Sequence, residues 1–188
     1  MRIEDFGLDF FSLEGRNAIV TGGNSGIGRA VSLALATAGA DVLVVALGED
    51  DGTTERLIHK QGRRMLFLDA DISLPGVAGE VVRQCVEQLG SVDILVNCAG
   101  ISLRGDVLSF GRDQWDRMVA VNLTAAFDLA HEASRFMITQ GGGKIINIAS
   151  LFAFLGGRAS PAYAATKAGL VGFTRAYCDE LAEHNIQV

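Results

Sequence analysis

One stretch near the start of the chain decides the fold: Asn17-Ala18-Ile19-Val20-Thr21-Gly22-Gly23-Asn24-Ser25-Gly26-Ile27-Gly28. Its first four residues form a short run of strand length, and a helical pattern follows its last glycines. The glycines therefore stand at a turn from a strand into a helix. Glycine permits unusual backbone angles, and it lets a diphosphate approach the amides of a helix N-terminus, whose dipole favours negative charge. The residues that we expect to contact such a ligand are Gly22, Asn24, Ser25, Gly26, Ile27 and Gly28.

The rest of the chain repeats this alternation of short apolar runs and longer helical patterns. The runs that read as strands cover residues 17–20, 42–46, 65–68, 94–97 and 144–148, with a sixth beginning at Ile186. The helical patterns cover residues 26–38, 53–61, 77–89, 113–139 and 163–184. Repeated βαβ units predict an α/β fold of three layers, in which helices cover both faces of a doubly wound parallel sheet. Such sheets bind ligands beyond the carboxyl ends of their strands.

A length of 188 residues without an internal linker or repeat predicts a single domain over residues 1–188. Residues 1–14 read as a leader segment that precedes the first strand. The last residues, Ile186 to Val188, read as the start of a strand. Because a natural chain rarely ends inside a strand, we expect the C-terminal part of the fold to be missing from this sequence.

The charge and the composition of the chain indicate which kinds of partner and which cellular compartment to expect. A formal net charge of −6 gives no broad attraction for nucleic acid or for an anionic membrane. No stretch approaches the roughly 20 apolar residues of a membrane span, and the N-terminus lacks the pattern of a signal peptide. We therefore expect a cytoplasmic protein with a small-molecule ligand. The cysteines and histidines show no metal-ligand or disulfide spacing, so we assign no metal to Cys85, Cys98, Cys178, His59, His131 and His184.

Ser150 follows the fifth predicted strand, and Tyr163 and Lys167 follow it on one predicted helix. Positions four apart share a helix face, so Tyr163 and Lys167 are expected to point together into a cleft that Ser150 borders. A free tyrosine has a pKa near 10, and a neighbouring ammonium favours the phenolate. Tyr163 is then a plausible general acid or base, with Ser150 holding a substrate oxygen. Taken alone, this pair of residues is also compatible with an exposed helical pair.

Two further short segments follow strands at the expected binding edge. Asp71 comes after the third strand and is followed by Ile72, and Asn97 to Gly100 come after the fourth. An aspartate there accepts a hydrogen bond from an adenine amino group, and small residues such as Ala99 leave room for a ribose. The alternative for Asp71 is an N-cap of the next helix.

Taken together, these motifs resemble the short-chain dehydrogenase/reductase family from about Leu13 to Val188. The family's T-G-x-x-x-G-x-G turn is matched by Thr21 to Gly28, and its N-N-A-G motif is matched by Asn97 to Gly100, with Cys98 at the second asparagine. The resemblance implies a Rossmann-type fold and a catalytic tetrad of Asn122, Ser150, Tyr163 and Lys167. It also implies that Asn122 kinks a long helix and helps to hold a water that links the lysine to solvent. Cofactor contacts are implied for Asp71, Ile72, Asn97, Ala99, Gly100, Tyr163 and Lys167.

The resemblance implies an oxidoreductase that moves a hydride between NAD(P) and a secondary alcohol or ketone. The end of the second strand, Ala46 and Leu47, carries neither the acidic residue that selects NAD nor an arginine for a 2′-phosphate. Because Glu49 and Asp50 would repel a phosphate, we expect NAD, with NADP as the alternative. The alternative from another class of function is a module that binds NAD(P) without catalysing a reaction.

The spacing around residues 142–150 resembles the sugar-acid branch of the family, such as the 2-deoxy-D-gluconate 3-dehydrogenases. The 3-oxoacyl carrier-protein reductases and the gluconate 5-dehydrogenases share almost every one of these motifs and remain alternatives. The family's tetramers further imply a homotetramer or homodimer, formed where the long helical stretches 113–139 and 163–184 pair across a two-fold axis.

Overall fold

Every predicted strand is present, and the six strands form one parallel sheet. The structure is a computed structural model that describes residues 7–188. The strands are β1 (Asn17–Thr21), β2 (Asp41–Ala46), β3 (Met65–Asp69), β4 (Ile94–Asn97), β5 (Gly143–Asn147) and β6 (Ile186–Gln187). Their order across the sheet is β3-β2-β1-β4-β5-β6. Successive strands thus run outward in both directions from β1, which leaves a crevice beyond the carboxyl ends of β1 and β4.

Helices cover the two faces of this sheet. They are α1 (Gly26–Thr37), α2 (Thr53–His59), α3 (Val77–Leu89), α4 (Arg112–Val119), α5 (Ala125–Gln140), α6 (Phe152–Leu155) and α7 (Pro161–Leu181). Residues of α1 and α2, such as Ala36 and Ile58, pack in one apolar cluster against the sheet. Residues of α3, α5 and α7, such as Val82, Leu129 and Leu181, pack in a second cluster. The predicted three-layer, doubly wound architecture is confirmed.

The helical stretch predicted over residues 113–139 is present, and the type of helix changes inside it. Residues Ala120–Thr124 form a π-helical turn between α4 and α5. One extra residue in a helical turn changes the course of the helix without interrupting its apolar pattern, so the periodicity did not reveal it. The short helix α6 was not predicted either, because its residues have no buried face.

One other expectation, the position of the fifth strand, needs correction. The fifth strand is shifted by one residue from the predicted 144–148, and Ile146 within it is 45% exposed, so helices do not cover both of its faces. Residues 1–6 of the predicted leader lie outside the described residues. Its later part, Leu8–Phe11, forms a short 3-10 helix.

Residues 7–188 contain neither a candidate membrane-spanning helix nor a candidate metal cluster. No helix in that range has the length and the apolar character that crossing a membrane requires. Nor do histidines, cysteines, aspartates and glutamates in that range gather in groups of three or more that could hold a metal ion.

Candidate active site

The glycine-rich turn between β1 and α1 has a shape that only glycines allow. Gly22 and Gly26 have φ angles of +66° and +48°, in the left-handed region that favours glycine. A β-carbon at Gly28 would clash with the carbonyl oxygen of Gly22, so the first turn of α1 lies directly against the end of β1. This close approach is compatible with a helix N-terminus that binds a diphosphate, and that binding stays a prediction.

A cavity of about 240 Å³ lies beside this turn, beyond the carboxyl ends of β1 to β4. Six of the predicted cofactor residues line it, namely Gly22, Asn24, Asp71, Ile72, Ala99 and Gly100. The other lining residues are Val45, Ala46, Leu47, Ala70, Ser73, Ile101, Arg117 and Val121. Ser25, Gly26, Ile27 and Gly28 lie next to it at the start of α1.

A larger cavity of about 720 Å³ lies at the opposite edge of the sheet, among Arg16, Asp93 and Lys144. These residues belong to the amino ends of the strands, where parallel sheets of this type do not bind their ligands. The smaller cavity is therefore the candidate site, because it combines the glycine-rich turn with the predicted polar residues.

Asp71 borders the cavity as an ionised acceptor. Its Oδ1 accepts hydrogen bonds from the Ser73 hydroxyl at 2.6 Å and from the Ser73 amide at 3.0 Å. These two bonds, the hydroxyl first, lower the pKa of Asp71. The N-cap of α3 is Gly76 rather than Asp71, so the alternative interpretation of Asp71 as a cap does not describe this structure.

The Asn97 side chain does not line the cavity. It is buried, and its amide donates to the Asn147 side chain at 2.9 Å and to the Ala126 carbonyl at 3.2 Å. These bonds join β4 to β5 and to α5, so the contribution of Asn97 is to fix the strand that carries the following loop. Its contact with a cofactor stays a prediction.

Thr21, at the end of β1, holds the loop that follows β4. This contact was not predicted from the sequence. The amides of Cys98 and Ala99 both donate to the Thr21 hydroxyl at 3.0 Å. The two residues lie 77 and 78 positions from Thr21, so only the pairing of β1 with β4 brings them together. Cys98 itself is half-buried, and burial raises the pKa of its thiol, with the nearby charge of Lys167 acting in the opposite direction.

Asn122 lies within the π-helical turn, where the resemblance implied a kinked helix. It is 1% exposed, and its carboxamide pairs with the backbone of Ile101, accepting from the amide and donating to the carbonyl at 2.8 Å each. A second amide hydrogen points to the Thr166 hydroxyl at 3.4 Å. The side chain is thus held in one orientation between the loop after β4 and helix α7.

Tyr163 and Lys167 share a face of α7, as predicted. Lys167 is 4% exposed, and its ammonium donates a 2.6 Å hydrogen bond to the carbonyl of Ile148 at the end of β5. Burial lowers the pKa of Lys167. The ammonium lies 5.8 Å from the centre of the Tyr163 ring.

Ser150 reaches the same region through α6. The Phe152 amide donates to the Ser150 hydroxyl at 3.2 Å, and the Phe152 ring packs edge-on against the Tyr163 ring with a centroid distance of 6.0 Å. The loop after β5 and the start of α7 are therefore in contact through an aromatic pair. This arrangement places Ser150 and Tyr163 on neighbouring segments at the carboxyl edge of the sheet.

Gly100 joins the cavity to the predicted catalytic residues. It lines the cavity, and a β-carbon there would lie 3.2 Å from Asn122 Oδ1 and 3.9 Å from the Lys167 ammonium. A side chain at this position would crowd Asn122 Oδ1 and would be in van der Waals contact with the Lys167 ammonium. The cofactor cavity and the Asn122–Lys167 pair are thus direct neighbours.

Comparison with known proteins agrees with this geometry. A model of the short chain dehydrogenase family matches residues 16–188. This chain belongs to the short-chain dehydrogenase family. Its membership makes it an oxidoreductase that acts on CH–OH groups with NAD(P). That the cofactor binds in the cavity beside the glycine-rich turn stays a prediction.

Individual relatives of this dehydrogenase cover most of the chain. The uncharacterized oxidoreductase YgcW of Escherichia coli K12 is 55% identical over 183 residues, which are 97% of this chain and 70% of that protein. The 2-dehydro-3-deoxy-D-gluconate 5-dehydrogenase of the same organism is 41% identical over 182 residues, 96% of this chain and 72% of that protein.

A solved structure superposes closely on this dehydrogenase. It is a candidate NAD(P)-dependent gluconate 5-dehydrogenase from Beutenbergia cavernae, described with NADP bound at low occupancy. The two proteins share 38% sequence identity and a TM-score of 0.89, over 95% of this chain and 71% of that one.

Proposed function

We propose that this dehydrogenase interconverts a secondary alcohol and a ketone of a gluconate-type sugar acid, with Tyr163 as the acid–base group. The observation that carries the proposal is the contact geometry at Gly100, where the cofactor cavity meets Asn122 and the Lys167 ammonium. The Tyr163 ring shares a helix face with that ammonium. A hydride acceptor and a proton acceptor would thus lie side by side.

The proton is handled by residues of this chain. NAD(P), when bound, accepts the hydride in oxidation and supplies it in reduction. As the carbon–hydrogen bond of the alcohol breaks, the Tyr163 oxygen takes the hydroxyl proton and a carbonyl forms. The Lys167 ammonium, 5.8 Å from the centre of the Tyr163 ring, is the cation nearest to this proton transfer in the proposal. Reduction reverses these steps.

Ser150 and Asn122 have supporting roles in this proposal. The Ser150 hydroxyl donates a hydrogen bond to the substrate oxygen while its charge changes. Asn122 keeps the π-helical turn and the loop after β4 in register, because its carboxamide is paired with Ile101. Its Oδ1 lies close to Gly100, and in this proposal it also accepts from a water that returns protons to the lysine.

Two arginines at the carboxyl edge of the sheet are an argument for an anionic substrate. Arg104 lies on the loop after β4 and Arg158 on the loop before α7, and both are exposed. The two loops are joined by a hydrogen bond from the Gly105 amide to the Ala159 carbonyl at 3.1 Å. In a chain with a net charge of −6, these cations at the carboxyl edge favour a carboxylate over a neutral alcohol. The names of the two relatives with sugar-acid substrates point the same way.

We further infer that the enzyme works as a homodimer or homotetramer in the cytoplasm. Phe127 of α5 is 44% exposed, and its ring contacts His131, Phe173 and Tyr177 in an aromatic cluster across α5 and α7. A second copy that packs on this surface would cover it. Sedimentation velocity tests the proposal, and a monomer at micromolar concentration would contradict it. The three free cysteines are compatible with a reducing compartment.

The experiment that tests the proposed function is a turnover assay at the absorbance band of reduced nicotinamide. The protein is incubated with NAD or NADP and with gluconate, deoxygluconates and their keto forms, beside 3-oxoacyl thioesters and simple alcohols. Turnover of a sugar acid that Tyr163→Phe abolishes supports the proposal. Turnover of thioesters alone would favour the reductase alternative. Cofactor binding without turnover of any substrate would favour a non-catalytic module.

A further inference from the structure

Arg29 is a partly buried arginine next to the glycine-rich turn. The proposed chemistry does not explain the hydrogen bonds that its side chain makes. It lies in the first turn of α1, and its side chain is 28% exposed. Its Nε donates to the Thr54 hydroxyl at 2.9 Å, and its Nη2 donates to the Asp51 carboxylate at 2.9 Å. Nη2 also donates to the backbone carbonyl of Asn24.

These bonds connect three segments that are separate in sequence. Asn24 belongs to the glycine-rich turn and lines the cofactor cavity. Asp51 belongs to the loop after β2, and Thr54 is a fully buried residue in the first turn of α2. The planar guanidinium is suited to this task, because its donors diverge in a fixed fork that an ammonium does not have.

We propose that Arg29 is a positioning residue, which holds the glycine-rich turn in its cofactor-binding shape by tying the Asn24 carbonyl to α2. The proposal rests on the proposed function in that the turn binds NAD(P). A turn that contains several glycines has little conformational restraint of its own. Arg29 supplies that restraint from outside the cavity, without a contact to the cofactor.

The ion pair alone does not explain the arrangement. Asp51 is 61% exposed, and exposed ion pairs contribute little to stability. Asp51 stays ionised because bonds from Thr53, first its amide and then its hydroxyl, lower its pKa, with Arg29 adding to the effect. The larger contribution comes from the buried Thr54 and from the Asn24 carbonyl, which fix where the guanidinium lies.

The test compares Arg29→Met with wild type in a fluorescence titration with NADH and in steady-state kinetics. Hydrogen bonds from a charged group contribute about 1.5–3 kcal/mol, so we expect the Kd and the KM for NADH to rise about tenfold or more. The kcat at saturating cofactor should stay within about twofold, because Arg29 touches none of the reacting atoms. A merely destabilised protein would instead lose active fraction and kcat, with KM unchanged.

Three further variants keep the outcome decisive. Arg29→Lys should recover part of the affinity, and Thr54→Val, which keeps the volume and all charges, should weaken NADH binding in the same direction. Arg83→Met is the matched control, since Arg83 pairs with Glu80 and Glu87 on the exposed face of α3. Unchanged NADH affinity in both Arg29→Met and Thr54→Val would overturn the proposal. Wild-type protein that binds neither NADH nor NADPH would instead overturn the proposed function, and this proposal with it.

Discussion

The Lys167 ammonium lies 5.8 Å from the centre of the Tyr163 ring, while its nearest hydrogen-bond acceptor is the Ile148 carbonyl at 2.6 Å. The lysine is therefore anchored to the end of β5 and still close enough to act on the phenol by its charge. Burial lowers the pKa of Lys167, because the charged form of the side chain is disfavoured away from water. A buried ionisable group with a shifted pKa is more typical of a functional site than of a packing position.

Replacing Lys167 by methionine removes this charge and keeps most of the length of the side chain. Because acid–base catalysis contributes about 10²- to 10⁴-fold, we expect kcat to fall by about that factor. Lys60→Met, at the exposed end of α2, is the matched control and should keep wild-type kcat. Steady-state turnover of the best sugar acid measures both. A Lys167→Met variant that retained half of the wild-type kcat would exclude this role for the lysine.

The strands were predictable from the sequence because each is a short apolar run, and burial of an apolar run leaves little choice of conformation. The Ile94–Asn97 strand, for example, is buried at every position and was predicted with its observed bounds. The π-helical turn at Asn122 was not visible in the periodicity, because the apolar residues on either side continue to face the core. The resemblance implied a kink at Asn122 but not a π-helical turn.

The candidate site was predictable where its residues are neighbours in sequence. The glycine-rich turn and the pair of Tyr163 and Lys167 are local patterns with a physical reason. The contacts of Thr21 with the loop after β4, and of Arg29 with Thr54, join residues that are distant in sequence. Such contacts depend on strand order and helix packing, and neither can be predicted from short sequence motifs.

Thr166 links two of the proposed catalytic residues. Its hydroxyl donates to the Tyr163 carbonyl at 2.9 Å and accepts from the Asn122 amide at 3.4 Å. Thr166→Val keeps the volume and removes both bonds, each worth about 0.5–1.5 kcal/mol, so we expect kcat to fall about tenfold. Cofactor affinity should not change, because Thr166 is not among the cavity residues.

Two comparisons separate this effect from general destabilisation. Thr166→Ser keeps the hydroxyl and should restore most of the lost kcat. Thr139→Val removes an equivalent hydroxyl, which donates to the Arg135 carbonyl on the exposed side of α5, and should be silent. Equal kcat in Thr166→Val and Thr139→Val would show that the Thr166 link does not position the catalytic groups.

Leu47 is expected to govern the choice between NAD and NADP. It directly follows β2, is 71% exposed and lines the cavity, and Glu49 and Asp50 follow it closely in sequence. The wild type should prefer NAD, because these carboxylates repel a 2′-phosphate. Leu47→Arg adds a cation that can bind phosphate through two donors, so we expect kcat/KM for NADP relative to NAD to rise about tenfold.

Leu47→Gln provides the matched polar, uncharged control, and it should leave the ratio near the wild-type value. Both cofactors are compared at the same substrate concentration and at low salt, where screening is weak. A wild-type enzyme that already prefers NADP would show that the acidic loop does not face the 2′ position.

The three thiols should react with an alkylating reagent in the order of their exposure and pKa. Cys178 is exposed and should react first. Cys98 is half-buried, and burial raises its pKa, so it should react more slowly. Burial, with a smaller contribution from the charge of Asp93, raises the pKa of Cys85 to about 12, so Cys85 should react only when the protein unfolds.

The pH dependence distinguishes a raised thiol pKa from simple lack of access. A free cysteine has a pKa near 8.5, so its alkylation rate approaches a plateau about one pH unit above that value. The rate at Cys98 should reach its plateau at a higher pH than the rate of a free cysteine, because burial raises the pKa of its thiol. Mass spectrometry of a Cys178→Ser variant isolates this rate. A plateau below pH 8 would mean that the Lys167 charge outweighs burial at Cys98, and the thiol would then be a reactive group beside the cofactor cavity.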